Sequence, residues 1–308
     1  MKKLIVVVLT LLFILILPDV TNAASLKTSI IPEDAQWVLH IDIEKFTSTK
    51  LFELLMEKEG VKAFKGKDKM IEKLGIDPLK DLTGITLFGS GQAEKNAVVS
   101  ITGNLDKDHL ISLVKQAKDN KEIKHGKHTI FQWENNQFGT FVNDNMLIIG
   151  RAEDMVRNAL DVIAGKQKNI KKTKLMSYLE EVPRGAIIQA VVDDISSVAG
   201  KNKPMILQKT GMAFFMAMEK NESLNLKLKM TTDTAETAKN IGQIINGFTA
   251  MARMQVQGKE EIKDQALKLL DALNVSVKGN VIEMGLIYPS EDLINFLIGS
   301  KKKLNLSI

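Results

Sequence analysis

The chain has 308 residues, a net charge of +5, 26% charged and 5% aromatic residues, and no cysteine. Zero cysteine excludes disulfides, thiolate metal sites, a thiol nucleophile and a cysteine-borne lipid anchor. So small a basic excess with so few aromatics excludes the basic, aromatic-studded surface on which single-stranded nucleic acid stacks, and no nucleic-acid partner is expected.

At the start, Lys2 and Lys3 precede an apolar stretch from Leu4 to Leu17, with Thr10 within it. Pro18 and Asp19 end that stretch, and Thr21, Asn22 and Ala23 are small residues before Ala24. This is the layout of a secretory signal peptide over residues 1–23, cut between Ala23 and Ala24. The stretch is shorter than the ~20 residues of a membrane span, and an uncleaved anchor is the alternative. No later segment is long and apolar enough to span, so no transmembrane segment is expected after signal removal. A disulfide-free exported chain is ordinary in a bacterial envelope, and the mature protein is expected in the periplasm or outside the cell.

In the mature chain, Val38 to Ile43 alternates and is rich in β-formers, which predicts a strand. Leu51, Leu54 and Leu55 recur at helical spacing up to Gly60. Two strand-like runs, 85–89 and 97–102, follow a turn-rich stretch, and Asp106 is placed to cap a helix carrying Leu110, Val114 and Ala117. Three short strands, HTIFQW, FGTFV and MLIIG, lead to a helix opened by Glu153 and Asp154. Beyond the basic run KQKNIKKTK (166–174), a strand over residues 186–193 and an apolar pair of strands from Gly211 to Met230 repeat the order. In GMAFFMAM both faces of the strand are apolar, which predicts cover on both sides. Asp233, with Glu236 three residues on, predicts a capping box before a helix whose apolar stripe runs Ala238, Ile241, Ile244, Ile245, Phe248, Met251. A helix with Ile262, Ala266, Leu269, Leu270 and Leu273 has no counterpart earlier, and a hairpin turned at Lys278-Gly279-Asn280 precedes a last helix from Glu291-Asp292.

Pro32, Ala35 and Asp42 share their spacing with Pro183, Ala186 and Asp193. Thr83-Gly84 and Asp106 lie 127 residues before Thr210-Gly211 and Asp233. Together with the repeated element order this predicts an internal duplication. The expected fold is α+β, with two similar lobes, each an antiparallel sheet with helices on one face. The lobes are expected at 24–164 and 176–308, joined by a solvated basic linker at 165–175.

The opening PEDAQWV (32–38), the helix start DTAETAK (233–239) and the tail YPSEDLINFL (288–297) resemble a loose group of exported bacterial proteins of unknown function. The resemblance implies two α+β units and export, and no activity or site.

Of four histidines, His125 and His128 form the only pair spaced for a metal, with Glu122 and Glu134 nearby, too few ligands for a zinc centre. A polar hairpin is the expected reading. His40 is expected as a partly buried, hydrogen-bonded packing residue, and Asp42 and Asp193 as carboxylates closing strand-to-helix turns. Neighbouring acids point apart on a helix or strand and make no dyad, and no nucleophile elbow, phosphate loop, zinc helix or calcium loop occurs. Eight of the 14 methionines (205, 212, 216, 218, 230, 251, 254, 284) fall between residues 205 and 284 of the second lobe. They are expected as core filling, with an adaptable apolar cleft as the alternative. No catalytic residue, cofactor or metal is assigned. The expected function is a non-enzymatic binding or scaffolding module of the envelope. The alternatives are a hydrolase with a dispersed carboxylate-based site, its activity depending on Asp42, His40 or Asp193, and a binder of lipid or another hydrophobic ligand in the methionine-rich lobe.

Overall fold

The computed structural model describes residues 26–60, 66–91, 96–133, 137–198, 208–256 and 263–304; the signal segment with Ala23 and Ala24, Glu134 and Met205 lie outside them. The described strands form one antiparallel sheet of twelve, in the order β11-β12-β10-β9-β8-β1-β2-β3-β7-β6-β5-β4. The sequence predicts two sheets; the structure joins them edge to edge. β1 (Trp37–Asp42) and β8 (Ile188–Val192) pair from Trp37↔Val192 to Ile41↔Ile188, and each satisfies the backbone edge the other would leave open.

In the first half, β1 is followed by α1 (Ile43–Thr47), α2 (Lys50–Glu59) and α3 (Lys67–Leu74). Then come β2 (Leu82–Gly89), β3 (Ala97–Gly103), α4 (Lys107–Gln116), β4 (Lys121–His125), β5 (His128–Trp133), β6 (Gln137–Asn143), β7 (Met146–Gly150) and α5 (Glu153–Ile163). Four strands thus occupy the region where three are predicted. The unpredicted β4, KEIKH, is an edge strand with exposed lysines and only Ile123 among its apolar residues, so it lacks the alternation that announces a half-buried strand. The helix α3 was also unannounced, and it contains no buried residue.

After α6 (Lys174–Leu179), the second half runs β8, α7 (Ile195–Val198), β9 (Thr210–Lys220), β10 (Ser223–Thr232), α8 (Ala235–Val256), α9 (Lys263–Ala272), β11 (Leu273–Lys278), β12 (Val281–Pro289) and α10 (Ser290–Leu304). From the shared centre outward, β1-β2-β3-β7-β6 in one half stands against β8-β9-β10-β12-β11 in the other. Only the β4–β5 hairpin departs from this; α9 occupies its place along the chain.

A row of apolar side chains crosses the centre of the sheet: Phe214, Val191, Val38, Phe88 and Val98 lie opposite one another on five successive strands. None is more than 3% exposed, and they belong to the core beneath α5, where Val156 and Ala159 are fully buried. The other face, around Ile41, Ile188 and Ala217, is covered by α1, α2, α4 and α10. Helices therefore lie on both faces at the centre. The doubly apolar β9 is covered on both sides as its pattern predicts, with Met212, Phe214 and Met216 in one core and Phe215 and Ala217 in the other.

The basic run keeps its lysines in solvent but is tied down by what lies between them. Ile170 is fully buried, its N–H donates to the Ile31 carbonyl at 3.1 Å, and Pro32 bridges to Asn169. Among the described residues no helix is long and apolar enough to cross a membrane.

Candidate functional site

The expected site residues are each held by neighbours. His40 is 3% exposed, and its Nδ1 lies 2.9 Å from the Thr86 hydroxyl on the adjacent strand. Asp42 closes its turn as expected: its carboxylate accepts from the Lys45 N–H at 2.9 Å and the Lys45 ammonium at 2.6 Å. In the second half the corresponding role falls one residue later. Asp194 accepts from the Ser196 N–H and hydroxyl at 2.8 and 2.9 Å, while Asp193 lies 3.4 Å from the Lys174 ammonium. The antiparallel pairing places Asp42 opposite Ile187 and Asp193 opposite Gln36, at the two ends of the β1–β8 ladder. Six residues at ~3.3 Å each put the two backbones about 20 Å apart, so they do not meet as a dyad. A one-residue shift also moves the helix cap expected at Asp233. Thr234 is the residue whose hydroxyl accepts from the Thr237 N–H, at 3.1 Å.

His125 and His128 face each other across the β4–β5 turn but bond elsewhere. The Arg157 guanidinium donates to His125 Nδ1 at 2.6 Å, which leaves the Nε2–H to donate to Asp161 at 2.8 Å. His128 Nδ1 donates to the Phe141 carbonyl at 3.2 Å, and Glu122 pairs with Lys115 at 3.0 Å. Among the described residues no three histidines or carboxylates are grouped to hold a metal.

The group His125, Arg157, Asp161, with Glu153 on Arg157 at 2.5 Å and Lys166 on Asp161 at 3.4 Å, fastens the β4–β5 hairpin to α5. Burial pushes the Asp161 carboxyl up, but hydrogen bonds from His125 and Lys166 outweigh it, and its pKa lies below the ordinary aspartate value. A depressed folded pKa means stabilisation that is present above the unfolded value of ~3.9 and is lost as pH falls through the lower folded value. Asp161→Asn is accordingly expected to flatten the acid limb of the stability–pH curve below pH ~4. Urea midpoints measured from pH 2.5 to 7 check this; parallel curves for the two proteins would contradict it.

The α8 helix carries an apolar surface that no described residue covers. Its buried residues, Ala238, Ile241 and Gly242, are confined to the first two turns, where they pack on Ile282 and the outer strands. Ile244, Phe248 and Met251, expected in one buried stripe with them, are 47%, 49% and 44% exposed, and Met254 is 66% exposed. Spacings of four, three and three residues put these four on one side of the helix. The apolar arc is wider than the three outer strands cover, so it divides into a buried face and an open ridge. Arg253, on the same helix, pairs with Asp271 of α9 at 2.8 Å. The signal for this ridge was in the sequence, as the stripe itself; which part of it stays open was not.

Together these features define an α+β protein built on one antiparallel sheet, with a helical ridge open to solvent. No protein-family model matches the chain, and no curated protein matches it. Among solved structures it superposes on crystal form III of TP0453 with a TM-score of 0.51, and on crystal form I with 0.49. Both are 11% identical; the match covers 90% of this chain and 99% and 98% of those chains. At that identity the likeness concerns the fold alone.

Proposed function

We propose that this protein is an exported binding module that engages a protein partner through the α8 ridge. The observation that carries this reading is the run Ile244, Phe248, Met251, Met254, four large apolar side chains each at least 44% exposed on one side of one helix. Contiguous apolar surface of this kind costs solubility and marks contact surfaces in soluble proteins. A second reading, capture of a lipid or another hydrophobic ligand, draws on the two exposed methionines, Met251 and Met254, whose flexible thioethers adapt to varied shapes. It is the weaker of the two, because Met212 and Met216 are core residues. The matching strand order of the two halves supports an internal duplication, with residues 24–164 and 176–308 as the repeated units.

Native mass spectrometry of the chain isolated gently from its own cell envelope tests the reading. A second polypeptide bound to the natural protein, and lost from an Ile244→Ser, Phe248→Ser, Met254→Ser variant with an unchanged melting temperature, is the expected result. A bound small mass lost in the same variant would favour the ligand reading instead. A bare chain in both preparations would overturn both.

A further inference from the structure

A concave surface in the first half is separate from the ridge. Between α4 and the strands β5 and β6 lies a cleft of about 380 Å³. Its apolar lining is Ile111, Phe131, Phe141 and Val142, from the helix and both strands. The charged and titratable lining is Lys107 at the start of α4, with Lys127 and His128 at the β4–β5 turn. No carboxylate lines it.

Both lysines are left able to take a ligand. Lys107 pairs with Asp144 at 3.0 Å, but that carboxylate is 84% exposed, and such surface pairs are weak and readily exchanged. Lys127 has no ion-pair partner among the described residues, and it is exposed at the mouth. His128 donates from Nδ1 to the Phe141 carbonyl, which leaves Nε2 as an acceptor, so the two ammonium groups are the donors that face an anion. The volume corresponds to about a dozen waters at ~30 Å³ each. It falls in the range of small-molecule sites, which pair an apolar wall with a few polar groups that fix orientation.

We propose that this cleft binds a small organic carboxylate. The apolar body lies against Phe141, Phe131 and Ile111, and the carboxylate reaches the Lys127 and Lys107 ammonium groups. Two ammonium groups act as point charges and set no planar geometry. Selectivity is therefore for negative charge carried on an apolar body of about a dozen heavy atoms.

The probe is naphthalene-2-carboxylate, set against neutral 2-naphthalenemethanol and inorganic phosphate, titrated into the mature chain with amide chemical shifts as the readout. The carboxylate is expected to saturate and to shift Ile111, Thr129 and Phe141. The alcohol and phosphate are each expected to bind about tenfold or more weakly, and Lys127→Gln with Lys107→Gln to weaken the carboxylate by a similar factor. Lys171→Gln, an exposed lysine elsewhere, is the control and should leave binding unchanged. Were the double variant to unfold, Lys127→Gln alone, at an exposed position, carries the test. Equal binding of the alcohol, equal binding of phosphate, unchanged affinity in the variant, or no saturation by millimolar carboxylate would each overturn the proposal.

Discussion

Glu219→Ala is expected to lower the unfolding free energy by about 3 kcal/mol, at the upper end of what charge-assisted hydrogen bonds contribute. Glu219 stands near the end of β9 in the second half, yet its carboxylate serves a helix of the first. Oε2 accepts from the Lys50 N–H at 2.5 Å and Oε1 from the Leu51 N–H at 2.9 Å, at the start of α2. The first N–H groups of a helix have no partner within it, and a negative charge there also meets the positive end of the helix dipole. The Ser290 hydroxyl, fully buried at the start of α10, donates to the same Oε1. One carboxylate therefore holds two helix starts, and α2 and α10 are further tied by Lys58 to Asn295 at 2.5 Å.

Truncation leaves two half-buried N–H groups and a buried hydroxyl without an acceptor. Glu219→Gln keeps one oxygen in place and should cost roughly half as much. Urea midpoints at constant slope measure both effects. Hydrogen exchange in α2 and α10 should accelerate together. An alanine variant within ~0.5 kcal/mol of the natural protein, the range of ordinary surface changes, would show that this carboxylate does not hold the helices.

Phe88→Ala is expected to cost about 3–5 kcal/mol, the range for emptying a fully buried aromatic position. Phe88 is 1% exposed and lies between Val38 and Val98 in the row that runs from Phe214 to Val98. The neighbours on either side belong to regular strands whose backbones are held by ladder hydrogen bonds, so the void cannot close by a local shift. Since the row crosses the β1–β8 joint, the loss should appear in both halves as one cooperative transition. Two separated transitions by near-UV and far-UV signals would indicate halves that unfold independently. Ile287→Ala on β12, at a position 67% exposed, is the contrast and should stay within ~0.5 kcal/mol.

Features that act over three or four residues were legible in the chain. Asp42 and Asp106 close their helix starts as their spacing predicts, the latter with its carboxylate 2.9 Å from the His109 N–H. The apolar strands β7 and β9 also lie where their patterns place them. Where the local pattern offers two neighbouring candidates, the structure chose the other one: Thr234 caps α8 beside Asp233, and Asp194 closes its turn beside Asp193. A pattern read by spacing alone does not resolve such a one-residue choice, because both neighbours are residue types that accept from a helix N–H.

What the sequence by itself determined is the α+β composition and most of the element order, because periodicity and capping are written within a few residues. Tertiary structure alone decided that the halves share one sheet, that Glu219 reaches helix N–H groups 168 residues away, and that Lys107 and Lys127 line one cleft. It also decided which part of the α8 stripe is covered. The reason is physical: pairing of strand edges and burial of a helix face depend on what the rest of the chain brings alongside. An apolar stripe states a need for cover, and the width of the sheet beneath sets how much of that need is met.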